Sequence, residues 1–198
     1  TISDTEGTIT ATTLTDITAQ TNGTVTAAAA GITISGNTTQ LTAALVTEET
    51  KAVVANGAVS ISDTGNVAAT VLSGIGATTG GVVTAANALT ITGTTEEITN
   101  ALVTESSLVV ASNGSAAVTF VGDNPTGAEL AAINPKVSGT ITLADVTQVF
   151  TGTAAQMQAA FSGGLAGTQT GAVTISDTEG TITATTLTDI TAQTNGTV

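Results

Sequence analysis

Residues 1–25, TISDTEGTITATTLTDITAQTNGTV, occur a second time, letter for letter, as residues 174–198. The second copy starts at Thr174 where the first starts at Thr1, and the chain between them repeats only approximately. Self-similarity at a fixed period is the sequence signature of proteins built from stacked units, so it decides how the rest of the chain is interpreted. We therefore expect the chain to be a window on a longer array whose repeating stretch is residues 1–173.

A recurring phrase divides this window into unequal units. Residues 58–64 read AVSISDT, residues 172–178 read AVTISDT, and residues 117–121 are a looser copy, AVTFV. Thr1, Ser60, Thr119 and Thr174 are equivalent positions in this phrase, and the spacing between the last two is slightly shorter than the other spacings. The predicted division is repeat 1 at 1–57, repeat 2 at 58–115, repeat 3 at 116–171, and the start of a further repeat at 172–198.

Each unit contains the same succession of secondary-structure signals. It opens with alternating apolar residues such as Val59 and Ile61, the period-2 pattern of a half-buried strand. A turn follows, and apolar residues then recur at a spacing of three, as in Leu14 and Ile17, which fits a short helix. Two further β-like stretches come next. Each unit is therefore predicted to mix strands with at least one helix.

A second helix is predicted near the end of each unit, and its start carries the clearest local signal. An Asn or Thr stands three residues before a Gln or Glu, the spacing of a capping box, in which each side chain accepts a hydrogen bond from the backbone of the other residue. Apolar pairs at i and i+4 follow each cap. The capping pairs are Asn37 with Gln40, Thr94 with Glu97, and Thr153 with Gln156.

These signals predict an α/β tandem repeat, a solenoid-like stack of strand–helix units, with an all-β repeat stack as the alternative. Asn-Gly pairs at 56–57 and 113–114 lie between apolar runs. This pattern is typical of a tight hairpin, which joins antiparallel strands. The sequence alone therefore allows either a parallel or a mixed sheet.

The composition indicates a thin core. The chain contains 47 threonines and 22 glycines, no Cys, His, Trp or Tyr, and only three Phe and one Met. Val, Ile, Leu and Ala must therefore fill the interior. A stacked array suits this composition, because each repeat buries only a shallow layer against its neighbours.

The charge balance excludes two classes of partner. Lys51 and Lys136 are the only basic side chains against 15 carboxylates, and the net charge is -13. Proteins bind nucleic acids and anionic membranes largely through Lys and Arg, so neither is an expected partner. The sequence also has no run of eighteen apolar residues. We therefore expect no membrane insertion in this segment.

Catalysis has little support in the sequence. Without His and Cys, the usual general base and the strongest nucleophile are missing. Neighbouring carboxylates occur at Glu48-Glu49 and Glu96-Glu97. Adjacent residues on a helix point about 100° apart, so these pairs do not converge on one bond as the carboxylates of glycosidases do. We expect no catalytic residues and no resident cofactor.

Calcium is the functional hypothesis that the acidic residues raise. An Asp recurs just after the strand that opens each unit, and two of the four copies add a Glu two residues later. Ca²⁺ takes six to eight oxygen ligands, often from alternating acids and carbonyl groups. The alternative is that these side chains form turns and helix caps, which need no metal. The candidate ligands are Asp4, Glu6, Asp63, Asp123, Asp177 and Glu179.

Three phrases carry a resemblance to a known class of protein. AVTISDT, TLTDITAQTNGTV and LTITGTTEEITNALV resemble the tandem repeats of giant bacterial cell-surface proteins, in particular those of marine cyanobacteria. The resemblance extends over the whole chain. It implies an extracellular location at the cell surface, long tandem arrays and no enzymatic role.

The predicted function is accordingly structural. We expect a repeat segment of an extracellular fibre, sheath, surface layer or stalk that stacks or polymerises end to end, with itself as partner. Covalent repetition and head-to-tail docking of separate subunits would produce the same periodic object. The alternative function is a repeat adhesin with a calcium-dependent or glycan-binding face.

Overall fold

A computed structural model describes residues 1–27, 29–47, 49, 52–85, 87–104, 109–111 and 115–198. The helices within these ranges are α1 Ala11–Ala19, α2 Thr38–Leu45, α3 Ala69–Gly76, α4 Thr95–Leu102, α5 Gly127–Ile133, α6 Ala154–Phe161 and α7 Ala184–Thr191. A short 3-10 helix, Asn134–Lys136, extends α5. The protein is therefore α/β, and the all-β alternative is wrong.

The strands are short, and none in the described ranges is longer than the six residues of β2. They are β1 Glu6–Thr10, β2 Gly31–Gly36, β3 Ala58–Ile61, β4 Asn66–Ala68, β5 Val83–Ala85, β6 Thr90–Gly93, β7 Val109–Val110, β8 Ala117–Phe120, β9 Ile141–Thr142, β10 Phe150–Gly152 and β11 Val173–Ile175. They form three sheets, in the orders β1-β2-β3-β5-β7, β4-β6-β8-β9 and β10-β11. Every pairing of these strands is parallel.

Parallel pairing requires a crossover between the two strands, and here each crossover contains one helix. The register shows that the crossovers are nearly equal in length. Glu6 pairs with Gly31. Thr33 pairs with Ala58 at the same offset along the chain. The crossover from β10 to β11 is slightly shorter, and that from β6 to β8 is slightly longer. Each predicted unit therefore holds two crossovers.

The hairpin expected at Asn56 and Gly57 is wrong. Val53, before the pair, forms a parallel bridge with Thr26, and β3, after the pair, lies between β2 and β5 in parallel register. The chain does not fold back on itself here, because each strand finds its partners one crossover earlier and one crossover later. The second Asn-Gly pair, 113–114, lies outside the described residues.

Local capping explains why the helices begin where they do. The capping boxes of α2, α4 and α6 are all present with both hydrogen bonds, which confirms that prediction. A fourth box, Thr126 with Glu129, starts α5 and was not predicted. Its signal was in the sequence, because Thr-Gly-Ala-Glu has the same spacing as the other boxes.

The core consists mainly of Val, Ile, Leu and Ala side chains from helices and strands, as the composition predicts. Leu14, Leu72 and Leu130 are fully buried at equivalent positions of α1, α3 and α5. Each helix packs against the helix that follows it in sequence. The rings of Phe150 and Phe161 meet edge to face with their centroids 5.4 Å apart. No helix in the described part of the chain combines the length and the apolarity that crossing a membrane requires.

Candidate functional site

Asp63, one of the predicted calcium ligands, caps a helix that lies one crossover earlier in the chain. Its Oδ2 accepts a hydrogen bond of 2.7 Å from the backbone N–H of Thr38, the first residue of α2. Its Oδ1 accepts a second bond of 3.0 Å from the Thr38 hydroxyl. The first amides of a helix have no partner within the helix and carry partial positive charge. The carboxylate satisfies one of these amides and ties two crossovers together.

The same contact occurs twice more. Asp123 accepts a hydrogen bond of 2.9 Å from the N–H of Thr95, the first residue of α4. Asp177 accepts one of 2.6 Å from the N–H of Ala154, the first residue of α6. Three of the six candidate ligands thus hold the second helix of the unit before them.

The strand register brings these groups together. The strand before each aspartate pairs with the strand that leads into the capped helix: β3 with β2, β8 with β6, and β11 with β10. Parallel strands in register end at the same edge of a sheet, so the residue after one strand lies beside the start of the helix after the other. Caps were the predicted alternative to calcium. A capped helix one crossover upstream leaves no signal in the local sequence.

The other candidate ligands are exposed. Asp4 corresponds to Asp177 in the repeated segment, and its carboxylate has no hydrogen-bond partner in the described part of the chain. Glu6 lies at the start of β1, and Glu179 lies in the corresponding stretch of the second copy. Across the described ranges, no three carboxylates lie close enough together to hold a metal ion. The candidate ligands therefore do not meet at one centre.

Three acidic side chains line a groove between α4 and α5. Asp123, Glu96 and Glu129 line it together with Thr95 and Thr99. Asp123 is bonded to the helix amide, and Glu129 belongs to the capping box of α5. These two carboxylates therefore stabilise the N-termini of the neighbouring helices α4 and α5.

The glutamates of the Glu96-Glu97 pair lie in different environments. Glu97 accepts a hydrogen bond of 2.9 Å from the N–H of Thr94 within the capping box of α4. Its neighbour Glu96 is exposed. Glu49 is also exposed, while Glu48 lies outside the described residues.

Buried threonines provide a second tie between crossovers, which the sequence analysis missed. The hydroxyl of Thr79 donates to the carbonyl of Gly57, and that of Thr194 donates to the carbonyls of Gln169 and Gly171 at 3.1 and 3.0 Å. Each hydroxyl also accepts the N–H of the residue two positions later, which is Gly81 in the first case. The signal in the sequence is Thr-x-Gly after a helix, at residues 79–81 and 194–196.

The pKa of Asp145 is lowered by its hydrogen bonds. The hydroxyl of Thr147, at 2.7 Å, and then its backbone N–H, at 2.8 Å, hold the pKa of Asp145 below its usual value of 3.8. Both groups are exposed in the loop before β10. This contact fixes a local turn.

Comparison with known proteins adds no relative. No protein-family model, no curated protein and no solved structure matches this chain.

Proposed function

We propose that this chain is a structural segment of an extracellular fibre, sheath, surface layer or stalk, and that it extends as a solenoid-like stack of strand–helix turns. A strand–helix turn is one crossover, a strand with its following helix and the return to the next paired strand. The observation that carries the proposal is that the two identical segments, 1–25 and 174–198, are packed on opposite sides.

The strands of the two copies support it first. In the first copy, β1 pairs with β2, the strand that follows it in the chain. In the second copy, the equivalent residues 179–183 form no strand. The second copy instead uses β11, which includes its first two residues, to pair with the preceding β10. One copy is joined to the turn after it, and the other to the turn before it.

The helices of the two copies repeat this division. Leu14 of α1 is fully buried, whereas the same residue of α7, Leu187, is 37% exposed. The reverse holds three residues later, where Ile17 is 40% exposed and Ile190 is fully buried. The leucine therefore packs toward the following turn and the isoleucine toward the preceding one. A copy inside a longer stack would bury both.

A segment with an apolar face on each side suits an element that propagates. Stacked repeats contact mainly their neighbours, so the stack can be extended without changing any repeat. The net charge of -13 supports the same role, because like charges limit lateral association and make it dependent on salt. The resemblance to giant bacterial cell-surface repeats supports the extracellular location.

The dimensions of such a stack follow from strand spacing. One period, residues 1–173, holds the six helices α1 to α6 and therefore six strand–helix turns. Hydrogen-bonded strands lie about 4.8 Å apart, so each period adds roughly 29 Å along the strand layer. Packed helices need about 8 to 10 Å. The helical side is therefore longer than the strand side, and we expect the stack to curve toward its strands.

The test is to measure length against the number of periods. Chains with one, two and three copies of residues 1–173, each ending in 174–198, are examined by small-angle scattering and electron microscopy. We expect the contour length to grow by a constant increment per period, at least the roughly 29 Å of the strand layer. As a control, complete copies of the chain joined by a flexible Gly/Ser spacer should give a broad range of distances. Compact particles from the continuous chains would contradict the proposal.

A further inference from the structure

We propose that residues 1–25 of one copy bind a second copy at its α6–β10 end, in the place held there by that copy's own residues 174–198. This inference rests on the proposed function, because it uses the same stacking faces. It adds a specific partner, a second copy of this chain, and a specific mode of binding, the replacement of one segment by an identical one.

The place to be occupied is defined by the contacts of residues 174–198. Asp177 accepts the first N–H of α6, and the hydroxyl of Thr194 donates to the carbonyls of Gln169 and Gly171. The N–H of Asn195 donates to the Gln169 carbonyl at 2.7 Å. Ile190 is fully buried, and Gly196 lies so close to Gly171 that an added β-carbon would collide with the Gly171 backbone.

The equivalent groups of residues 1–25 are not used in this way. Asp4 has no hydrogen-bond partner in the part of the chain that the structure describes. Ile17 is 40% exposed. Among the described residues, the hydroxyl of Thr21 accepts only the local N–H of Gly23, at 3.0 Å, and a β-carbon at Gly23 would meet only that hydroxyl. The first segment thus has the binding groups of the second, while its opposite side is already packed on β2 and α2.

Replacement fits the order of the helices better than simple docking of one end on the other. The three aspartate contacts are made to α2, α4 and α6, the second helix of each predicted unit. Replacement would bring Asp4 to the start of α6. Docking without replacement would place α1 beside α7 and bring Asp4 toward α7, which is the first helix of its unit and not the second. Only replacement reproduces a contact that the structure contains.

Because the two segments are identical, exchange swaps each contact for the same contact. The equilibrium between binding of the resident segment and binding of the incoming one therefore changes when a single side chain is substituted in either segment. Asp4→Ala weakens only the incoming segment, and Asp177→Ala weakens only the resident one. The two variants carry the same chemical change and serve as controls for each other.

The experiment uses the full chain, warmed below its melting transition and cooled to allow exchange, and follows association by sedimentation velocity over a range of concentrations. We expect Asp177→Ala to strengthen association about fivefold and Asp4→Ala to weaken it about fivefold, the usual effect of losing one helix cap. The double variant should return to the balance of the unchanged chain. Thr194→Val and Thr21→Val form a second pair with the same expected signs.

Three results would overturn the inference: no association at any concentration, equal effects of the two aspartate variants, or association that Asp177→Ala leaves unchanged. The last would identify docking without replacement. None of these results affects the lengthening of the continuous chains, which tests the proposed function separately.

Discussion

At the scale of single residues, the most informative side chains are the aspartates after β3, β8 and β11. Carboxylates of this kind can bind cations, but each of these accepts a hydrogen bond from the first N–H of the capped helix that precedes it in the chain. A carboxylate suits this position because it accepts a hydrogen bond from the free amide, and because its negative charge is attracted to the positive end of the helix. The same residue therefore stabilises both the helix start and the joint between two strand–helix turns.

Replacing Asp63 by Ala should lower the free energy of unfolding by about 1 kcal/mol, because the Thr38 amide loses its acceptor. Asp63→Asn should cost less, since its amide oxygen can accept the same bond. Urea unfolding measures both. The matched control is Asp16→Ala on the exposed side of α1, which should change stability little. Equal effects of Asp63→Ala and Asp16→Ala would show that the bond adds nothing.

At the scale of elements, helix starts are determined locally and strand pairing is not. A capping box lies within four consecutive residues, so three of the four boxes were predicted from the sequence. Paired strands are separated by a whole crossover, and their choice of partner depends on how the helices pack. For this reason the hairpin predicted from the Asn-Gly pair at 56–57 is wrong. Its local preference is for a hairpin, but Gly57 fits close beside the carbonyl of Ile32 in the preceding turn.

Glycines at the joints between turns should not tolerate a methyl group. A β-carbon at Gly81 would collide with the backbone of Gly57, so Gly81→Ala should lower stability by about 1 to 3 kcal/mol. Gly74 within α3 is the control, because a β-carbon there meets nothing within 4 Å. Gly74→Ala should raise stability by about 0.5 to 1 kcal/mol through helix propensity. Thermal unfolding of both variants checks the opposite signs, and two shifts of one sign would count against close stacking.

At the scale of the whole molecule, the net charge of -13 produces repulsion between carboxylates that few basic side chains offset. Salt should raise the melting temperature, because it screens the repulsion between carboxylates. This general effect must be separated from specific binding of calcium. The structure helps here, since three of the six candidate ligands are already bonded to helix amides.

We expect the melting temperature to be the same in calcium chloride and in sodium chloride of equal ionic strength, and a chelator to leave it unchanged. Differential scanning calorimetry of the full chain measures this. The melting temperatures of Asp4→Ala in the two salts are compared in the same way, because Asp4 has no hydrogen-bond partner in the described ranges. An increase that saturates with calcium and is reversed by chelator would support the calcium-dependent adhesin instead.

The repeated segment separates what the sequence determined from what the tertiary structure decided. In both copies the helix forms, with Thr10 and Thr183 accepting equivalent bonds of 3.1 Å, and Gly7 and Gly180 both adopt positive φ angles of 110° and 96°. These features depend on residues a few positions apart, so identical sequence gives them twice. The strands differ, because a strand requires a partner from another turn, and each copy has that partner on one side only. The sequence by itself therefore determined the helices, their caps and the aliphatic composition of the core, while packing of one turn on the next decided the strands, their register and which helix each aspartate holds.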